Sequence, residues 1–234
     1  MPRVKELPPV PDKPVVSPPA WVTGEEHVTL PGLSGEPSLE AAVRVPAGAE
    51  RVVVLAHPHP LYGGTMHSAV VLAIAKVLAE KSGERVGTVR FNYRGVGTSE
   101  GAYGKGVGEV EDVRAAIHEA RRRAPSAKLS ACGYSFGTWV TLRAAAAEHE
   151  ARDIDRVVLV APAVRVFKFV IEDARGVAAP IAIFVGDDDE FCDVAEAEEL
   201  ATTIGAALTV LPGSDHYFLK SRRRLAELVL PALV

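Results

Sequence analysis

The segment Lys128–Trp139, which reads KLSACGYSFGTW, decides the fold. A short apolar run ends in Gly133-Tyr134-Ser135-Phe136-Gly137, and an alanine-rich pattern with helical spacing follows directly. This is a G-x-S-x-G motif between a strand and a helix, where a sharp turn exposes a serine hydroxyl. The helix N-terminus behind it offers unpaired N–H groups where negative charge develops. The segment therefore predicts Ser135 as a nucleophile and the N–H of Phe136 as an oxyanion donor.

Strands and helices alternate on both sides of this segment. Predicted strands are Glu26–Leu30, Leu39–Val45, Arg51–Ala56, Arg85–Phe91, Leu129–Tyr134, Arg156–Ala161, Ile181–Val185 and Ala207–Leu211. Predicted helices are Met66–Glu80, Val107–Ala124, Phe136–His149, Val194–Ile204 and Tyr217–Leu230. The first two strands are expected to form an antiparallel edge hairpin. The alternation predicts an α/β fold, with a doubly wound, mostly parallel sheet of seven to eight strands.

Composition limits the classes of partner. The chain has 234 residues, 48% of them hydrophobic and 24% charged, with a net charge of −4. This balance argues against nucleic acid as a main partner and against a polybasic membrane anchor. No signal peptide or membrane-spanning segment is visible, and Cys132 and Cys192 are too few for a disulfide framework. We therefore expect a cytoplasmic protein without membrane contacts.

The N-terminal 20 residues differ from the rest of the chain. They hold seven of its 17 prolines, which excludes a helix or a central strand. We expect residues 1–20 to form an extended or disordered arm and residues 21–234 to form a single domain. The arm is either a tail without catalytic role or a strap over the body or over a second subunit. A homodimer is one expectation that the sequence leaves open.

Sites in such folds lie at the carboxyl ends of the strands. The first buried strand is followed by His57-Pro58-His59-Pro60-Leu61, in which the prolines carry no N–H. A nucleophilic serine needs a second oxyanion donor from this loop, so we predict the N–H of His59, with Leu61 as second choice. The histidines could instead be zinc ligands, with His67 nearby. An Asp-His pair, usual in a binuclear metal site, is absent from this loop.

Two further strand ends supply the partners of a serine nucleophile. Ile181–Val185 leads into Gly186-Asp187-Asp188-Asp189-Glu190, and Ala207–Leu211 leads into a loop containing His216. Among the seven histidines only His216 follows the acidic cluster. The order serine, acid, histidine is that of an α/β-hydrolase triad. At this point three aspartates remain candidates for the acid.

A glycine-rich turn, FNYRGVGTSEG, follows the strand that ends at Phe91. Its glycine spacing misses the dinucleotide-binding fingerprint, because the third glycine comes one residue late. We interpret it as a structural turn in which Arg94 pairs with a carboxylate.

The chain resembles the α/β-hydrolase superfamily, and within it the small bacterial hydrolases that lack a lid. The resemblance rests on HPHPLYGGTMH (His57–His67) and FNYRGVGTS (Phe91–Ser99), and it runs from about Leu39 to the C-terminus. It implies a Gly-x-x-Asp acid, which selects Asp189, and His216 as the triad histidine. It also implies hydrolysis of short-chain acyl esters.

The connection between Pro162 and Pro180 is too short for a large cap domain. We therefore expect little or no cap and a shallow, open substrate pocket. Its expected walls are the apolar and aromatic residues near the strand ends, namely Leu61, Tyr62, Met66, Tyr134, Phe136, Phe167, Phe169 and Tyr217.

These observations predict a serine hydrolase of small acyl esters that needs no cofactor or metal. Ser135 would form an acyl-enzyme, with His216 as base and Asp189 as its orienting acid. Alternatives are a serine peptidase or thioesterase on the same triad, a metallohydrolase at His57 and His59, and a non-catalytic scaffold.

Overall fold

The computed structural model describes residues 7, 9–11, 15–147 and 154–234, and eight strands of these residues form one sheet. The strands are β1 (Glu26–Leu30), β2 (Leu39–Arg44), β3 (Arg51–Ala56), β4 (Val86–Phe91), β5 (Lys128–Tyr134), β6 (Arg156–Val160), β7 (Ile181–Gly186) and β8 (Ala207–Leu211). Their order is β1-β2-β4-β3-β5-β6-β7-β8. The β1–β2 and β2–β4 pairs are antiparallel, and the other pairs are parallel. The predicted mostly parallel sheet with an antiparallel edge hairpin is confirmed.

Helices cover both faces of the sheet. They are α1 (Ala69–Ser82), α2 (Gly108–Arg123), α3 (Phe136–Ala147), α4 (Ile171–Ala174), α5 (Val194–Ile204) and α6 (Arg222–Leu233). Helices α1 and α6 pack with Val53 and Leu55 of β3, whereas α2 and α3 pack with Val52 and Val54. Successive strand residues point to opposite faces, so a doubly covered strand must be apolar at every position. Apart from Arg51 at its start, β3 (RVVVLA) meets this requirement.

The chain reverses its direction across the sheet at β3. Strand β4 lies on one side of β3 and β5 lies on the other. Ligand sites in open α/β sheets lie where the strand order reverses, outside the carboxyl ends of the strands. The loops after β3 and β5 therefore meet at the carboxyl ends of the strands, where the sequence predicts the site.

Two helices start later than the sequence pattern predicts. Helix α1 begins at Ala69, not Met66, because the N–H of Met66 donates to Asn92 Oδ1 at 2.8 Å and its carbonyl accepts from Arg90. Helix α6 begins at Arg222, not Tyr217. The intervening Phe218 has φ of +48°, a left-handed conformation that a helix does not accommodate.

Buried Arg90 fixes the chain where it enters the sheet. Its Nε and Nη2 donate to the two carboxylate oxygens of Glu25, at 2.7 and 2.5 Å, and neither side chain is exposed. Nη2 also donates to the carbonyl of Ala20 at 3.2 Å, and the Trp21 ring lies edge-on against His67. These contacts hold the end of the proline-rich segment against the body.

The short connection after β6 carries only the four-residue helix α4. The structure therefore confirms the expectation of little or no cap. Within the described residues, no helix has the length and apolar character needed to cross a membrane.

Candidate active site

The turn between β5 and α3 places Ser135 at the centre of the site. Ser135 has φ of +55°, and its N–H donates to Val160 O at 2.9 Å. A Cβ on Gly133 would lie 2.1 Å from the carbonyl oxygen of Gly137, and one on Gly137 would lie 2.6 Å from Ala56 O. The turn is therefore too tight for side chains at either glycine. A serine with a left-handed backbone conformation, between two glycines that closely approach neighbouring carbonyl oxygens, has the geometry of a nucleophile elbow.

A chain of hydrogen bonds joins the three residues that the sequence singles out. His216 Nε2 lies 2.9 Å from Ser135 Oγ. His216 Nδ1 lies 2.8 Å from Asp189 Oδ2 and 3.0 Å from Oδ1. The carboxylate accepts a hydrogen bond from Nδ1–H. The unprotonated Nε2 can therefore accept the hydrogen bond of the serine hydroxyl and take its proton during the reaction. All three residues are buried.

The structure distinguishes between the three consecutive aspartates. Asp189 is 4% exposed, whereas Asp187 and Asp188 are exposed. Asp187 Oδ1 accepts from the Ser214 N–H at 3.2 Å and so shapes the loop that carries His216. Asp189 Oδ1 also accepts from the Phe191 N–H at 2.8 Å, which orients the carboxylate. Only Asp189 reaches the imidazole.

Neighbouring groups hold the His216 ring in place. The Tyr134 hydroxyl donates to the His216 carbonyl at 3.1 Å. The Phe191 and Tyr217 rings lie edge-on to the imidazole, at centroid distances of 4.7 and 5.4 Å. The ring is therefore enclosed by aromatic groups while its Nε2 faces Ser135.

The loop after β3 lies beside the serine. Phe136 is the first residue of α3, so its N–H has no acceptor within the helix. Among the described residues no acceptor is found for the N–H of His59 either, whereas the N–H of Leu61 donates to His59 Nδ1 at 3.2 Å. Within the described residues, the N–H groups of Phe136 and His59 therefore have no acceptor, whereas that of Leu61 is engaged.

The His59 side chain stabilises this loop. Because Nδ1 accepts from Leu61, the neutral ring carries its proton on Nε2, which donates to the Tyr103 hydroxyl at 3.1 Å. Burial lowers the pKa of His59 to about 4, so the ring is neutral near pH 7. The ring also stacks on Phe167 at 5.9 Å. Sequence reasoning missed Tyr103, because its pairing with His59 spans 44 residues.

The site opens into a cavity of about 280 Å³. Of the expected walls, Tyr62, Tyr134, Phe167 and Tyr217 line it, together with Ser135, His59 and His216. Leu61, Met66, Phe136 and Phe169 do not. Met66 is fully buried below the loop, Leu61 lies on the helical turn after His59, Phe136 is 0% exposed, and Phe169 packs beside β6 and β7. The expectation of Leu61, Met66, Phe136 and Phe169 as pocket residues is therefore wrong.

Three residues of the N-terminal arm also line the cavity, namely Leu7, Val15 and Ser17. The Val15 carbonyl sits directly against Gly63, where a Cβ would approach it to 2.2 Å. The described part of the arm thus lies over the body beside the site, as one of the two sequence interpretations supposes. Residues 1–6, 8 and 12–14 of the predicted arm lie outside the described residues.

The side chains of the loop histidines are committed to hydrogen bonds. His57 is fully buried, with Nδ1 2.7 Å from Pro58 O and Nε2 accepting from the Tyr93 N–H at 3.1 Å. Burial lowers the pKa of His57 to about 3. His59 is likewise bonded through both ring nitrogens. In the part of the chain that the structure describes, no group of three His, Cys, Asp or Glu side chains is arranged to hold a metal ion. The zinc-ligand alternative therefore has no support from these side chains.

The glycine-rich turn after β4 is a structural element. Arg94 donates to Asp112 through Nε and Nη2, at 3.0 and 2.7 Å, and to Glu36 at 2.8 Å. This is the predicted pairing of Arg94 with a carboxylate. The network fastens the turn to α2 and to the segment before β2.

An eight-stranded, mostly parallel sheet, a serine at a tight strand–helix turn and the absence of a cap define an α/β serine hydrolase without a lid. Residues 48–168 match a family model described as serine aminopeptidase, S33. The chain belongs to this family of α/β-hydrolases.

Similar proteins support this assignment. A serine hydrolase without a lid from Xanthomonas campestris is 30% identical, with a TM-score of 0.75 over 92% of this chain and 98% of its own. An α/β serine hydrolase homologue from Coxiella burnetii is 32% identical, with a TM-score of 0.76 over 92% of this chain and 100% of its own. An uncharacterised protein of Rickettsia prowazekii is 30% identical over 176 residues, 71% of each chain.

Proposed function

We propose that this protein hydrolyses small acyl esters through an acyl-enzyme on Ser135. The observation that carries the proposal is the continuous hydrogen-bonded chain Ser135–His216–Asp189 at the wall of a cavity. A serine hydroxyl with a hydrogen-bonded imidazole is the arrangement that generates an oxygen nucleophile near neutral pH. Short esters match a cavity of about 280 Å³ that has no cap above it.

In the proposed reaction, Ser135 Oγ attacks the ester carbonyl carbon while His216 Nε2 takes the hydroxyl proton. The carbonyl π electrons move to oxygen, and the N–H groups of Phe136 and His59 stabilise the resulting anion. When the tetrahedral intermediate collapses, the alcohol leaves with the proton from His216. Water then attacks the acyl-enzyme by the same route and releases the acid. Asp189 keeps the His216 proton on Nδ1 and stabilises the imidazolium.

A serine aminopeptidase activity is the second candidate, since the family description names it. An aminopeptidase must hold a protonated α-amine, which requires a carboxylate or several acceptors facing the substrate. Among the described residues that line the cavity, the cation Arg222 is the only lysine, arginine, aspartate or glutamate. This charge disfavours a substrate ammonium group, so the ester function is the better supported one.

The test compares rates on 4-nitrophenyl acetate and butyrate, on acetyl thioesters and on aminoacyl 4-nitroanilides. We expect the esters to be the best substrates, and Ser135→Ala to abolish turnover while the protein stays folded by circular dichroism. Faster hydrolysis of the anilides would establish the peptidase instead. Full ester turnover by Ser135→Ala would refute both.

A further inference from the structure

Arg222, at the start of α6, lines the cavity and has no part in the triad chemistry. Its Nε donates to Tyr217 O at 3.3 Å. Within the described residues, neither Nη group has a hydrogen-bond acceptor, and no carboxylate lies within ion-pair distance of the side chain. Its neighbour Arg223, by contrast, pairs with Glu227 at 3.1 Å and with Glu80 at 3.2 Å.

The charge of Arg222 acts inside the site. Tyr134 is the residue before Ser135. Burial raises the pKa of Tyr134, and the positive charge of Arg222 opposes that rise. The guanidinium is therefore close enough to influence the residue next to the nucleophile. Arg222 is only partly exposed, so its field is less screened by water than that of an arginine on the open surface.

The carboxylates near the cavity lie outside its described lining. His59 is neutral near pH 7, because burial holds its pKa at about 4. Asp189 is bound to His216 behind the cavity wall, and Asp215 accepts from the Leu219 N–H at 3.0 Å. Glu190 and Asp215 act on the pKa of Tyr217 from outside the lining. Arg222 is thus the only lysine, arginine, aspartate or glutamate of the described lining, while Asp189, whose charge acts on Tyr134 more strongly than that of Arg222, lies behind that lining.

We propose that Arg222 binds an anionic group of the substrate, so that the preferred esters carry a carboxylate on the acyl or the alcohol side. This inference rests on the proposed hydrolase function. An arginine whose terminal nitrogens lack partners is suited to bind a carboxylate through two parallel hydrogen bonds. The chain carries a net charge of −4, so a local cation is needed for an anionic substrate to be favoured over a neutral one.

The experiment compares matched ester pairs that differ only in charge. One pair is 4-nitrophenyl hydrogen glutarate and its methyl-capped diester, which places the charge on the acyl side. The other is 4-acetoxybenzoate and its methyl ester, which places it on the alcohol side. The measured quantity is the ratio of kcat/KM for the charged ester to that for the neutral ester, at low and at high salt.

The variants are Arg222→Gln, Arg222→Lys and the control Arg224→Gln, which removes the same charge from an exposed position of α6. We expect the wild-type protein to favour the charged ester in one pair. Arg222→Gln should lower that ratio by roughly two- to fivefold, the effect of a partly exposed ion pair. Arg222→Lys should retain part of the preference, Arg224→Gln should retain all of it, and salt should weaken it.

The pair that responds identifies the side of the substrate that carries the charge. No charge preference in either pair, or an equal loss in Arg222→Gln and Arg224→Gln, would overturn the proposal. If the wild-type protein cleaved none of the esters, the hydrolase function would fail first. The same contrast would then be read from thermal unfolding. Monomethyl glutarate should raise the Tm of the wild-type protein by more than it raises the Tm of Arg222→Gln, and dimethyl glutarate should cause no such difference. Equal Tm shifts in the two proteins would refute the role of Arg222.

Discussion

Replacing Asp189 with asparagine tests the proposed roles of the triad most informatively, because the structure predicts how the new amide will orient. Asp189 Oδ1 accepts from the Phe191 N–H at 2.8 Å. An asparagine will keep its amide oxygen on that donor, which turns its NH₂ group toward His216 Nδ1, now 2.8 Å from Asp189 Oδ2. The nearer partner of Nδ1 is then an N–H donor, while the amide oxygen at the Oδ1 position is 3.0 Å away, so the variant favours an imidazole that accepts at Nδ1 and carries its proton on Nε2.

A ring protonated on Nε2 cannot accept the proton of Ser135. We therefore expect Asp189→Asn to lower kcat on 4-nitrophenyl butyrate by about 10³ to 10⁴, which corresponds to roughly 4–5.5 kcal/mol of activation free energy. KM should change little, because Asp189 does not line the cavity. Thermal unfolding monitored by circular dichroism checks that the variant is folded.

The matched control is Asp188→Asn, an exposed neighbour with the same change of charge. It should retain wild-type kcat. Activity of Asp189→Asn within tenfold of the wild type, or an equal loss in the control, would refute the tautomer argument.

Three other predictions concern the scaffold around the site. Gly137→Ala places a Cβ 2.6 Å from Ala56 O, so it should lower the free energy of unfolding by about 1–3 kcal/mol and the Tm by about 2–12 °C. An unchanged Tm would show that a side chain fits at this position. Deleting residues 1–17 removes the arm from the cavity wall but keeps the anchor at Ala20. The rate on an octanoyl ester relative to an acetyl ester should rise at constant Tm, and an unchanged ratio would show that the arm does not limit the pocket. Buried His57, whose pKa is lowered to about 3, stays neutral in the folded protein while it titrates near 6.5 in the unfolded chain. The free energy of unfolding should therefore fall by roughly 1.4 kcal/mol per pH unit as the pH drops below 6.5. Urea titrations at several pH values measure this dependence, and in His57→Gln the free energy of unfolding should fall less steeply with pH.

The sequence predicts the sheet well, because its signals are local. An unbroken apolar run such as residues 52–56 is required where a strand is covered on both faces, and the turn after Tyr134 requires glycines on both sides of Ser135. The strand-end positions of Asp189 and His216 follow from the same alternation. The structure then selects Asp189 from its neighbours by burial, a property that three consecutive identical residues cannot reveal.

What the sequence could not predict depends on contacts between distant segments. Helical spacing extends α1 back to Met66, but Arg90 and Asn92 bind that residue into a loop and remove it from the pocket. The pairing of Tyr103 with His59 and the position of Val15 beside Gly63 link residues more than 40 positions apart. A proline-rich composition predicts an extended arm but not the surface on which it lies.

Covalent labelling is the direct test of whether Ser135 is an activated nucleophile. The protein is treated with a fluorophosphonate probe and digested, and the labelled peptide is identified by mass spectrometry, with Ser135→Ala as the control. We expect one adduct, on Ser135, that is absent from the variant. A folded wild-type protein that remains unlabelled, or an adduct on another serine that persists in Ser135→Ala, would contradict it.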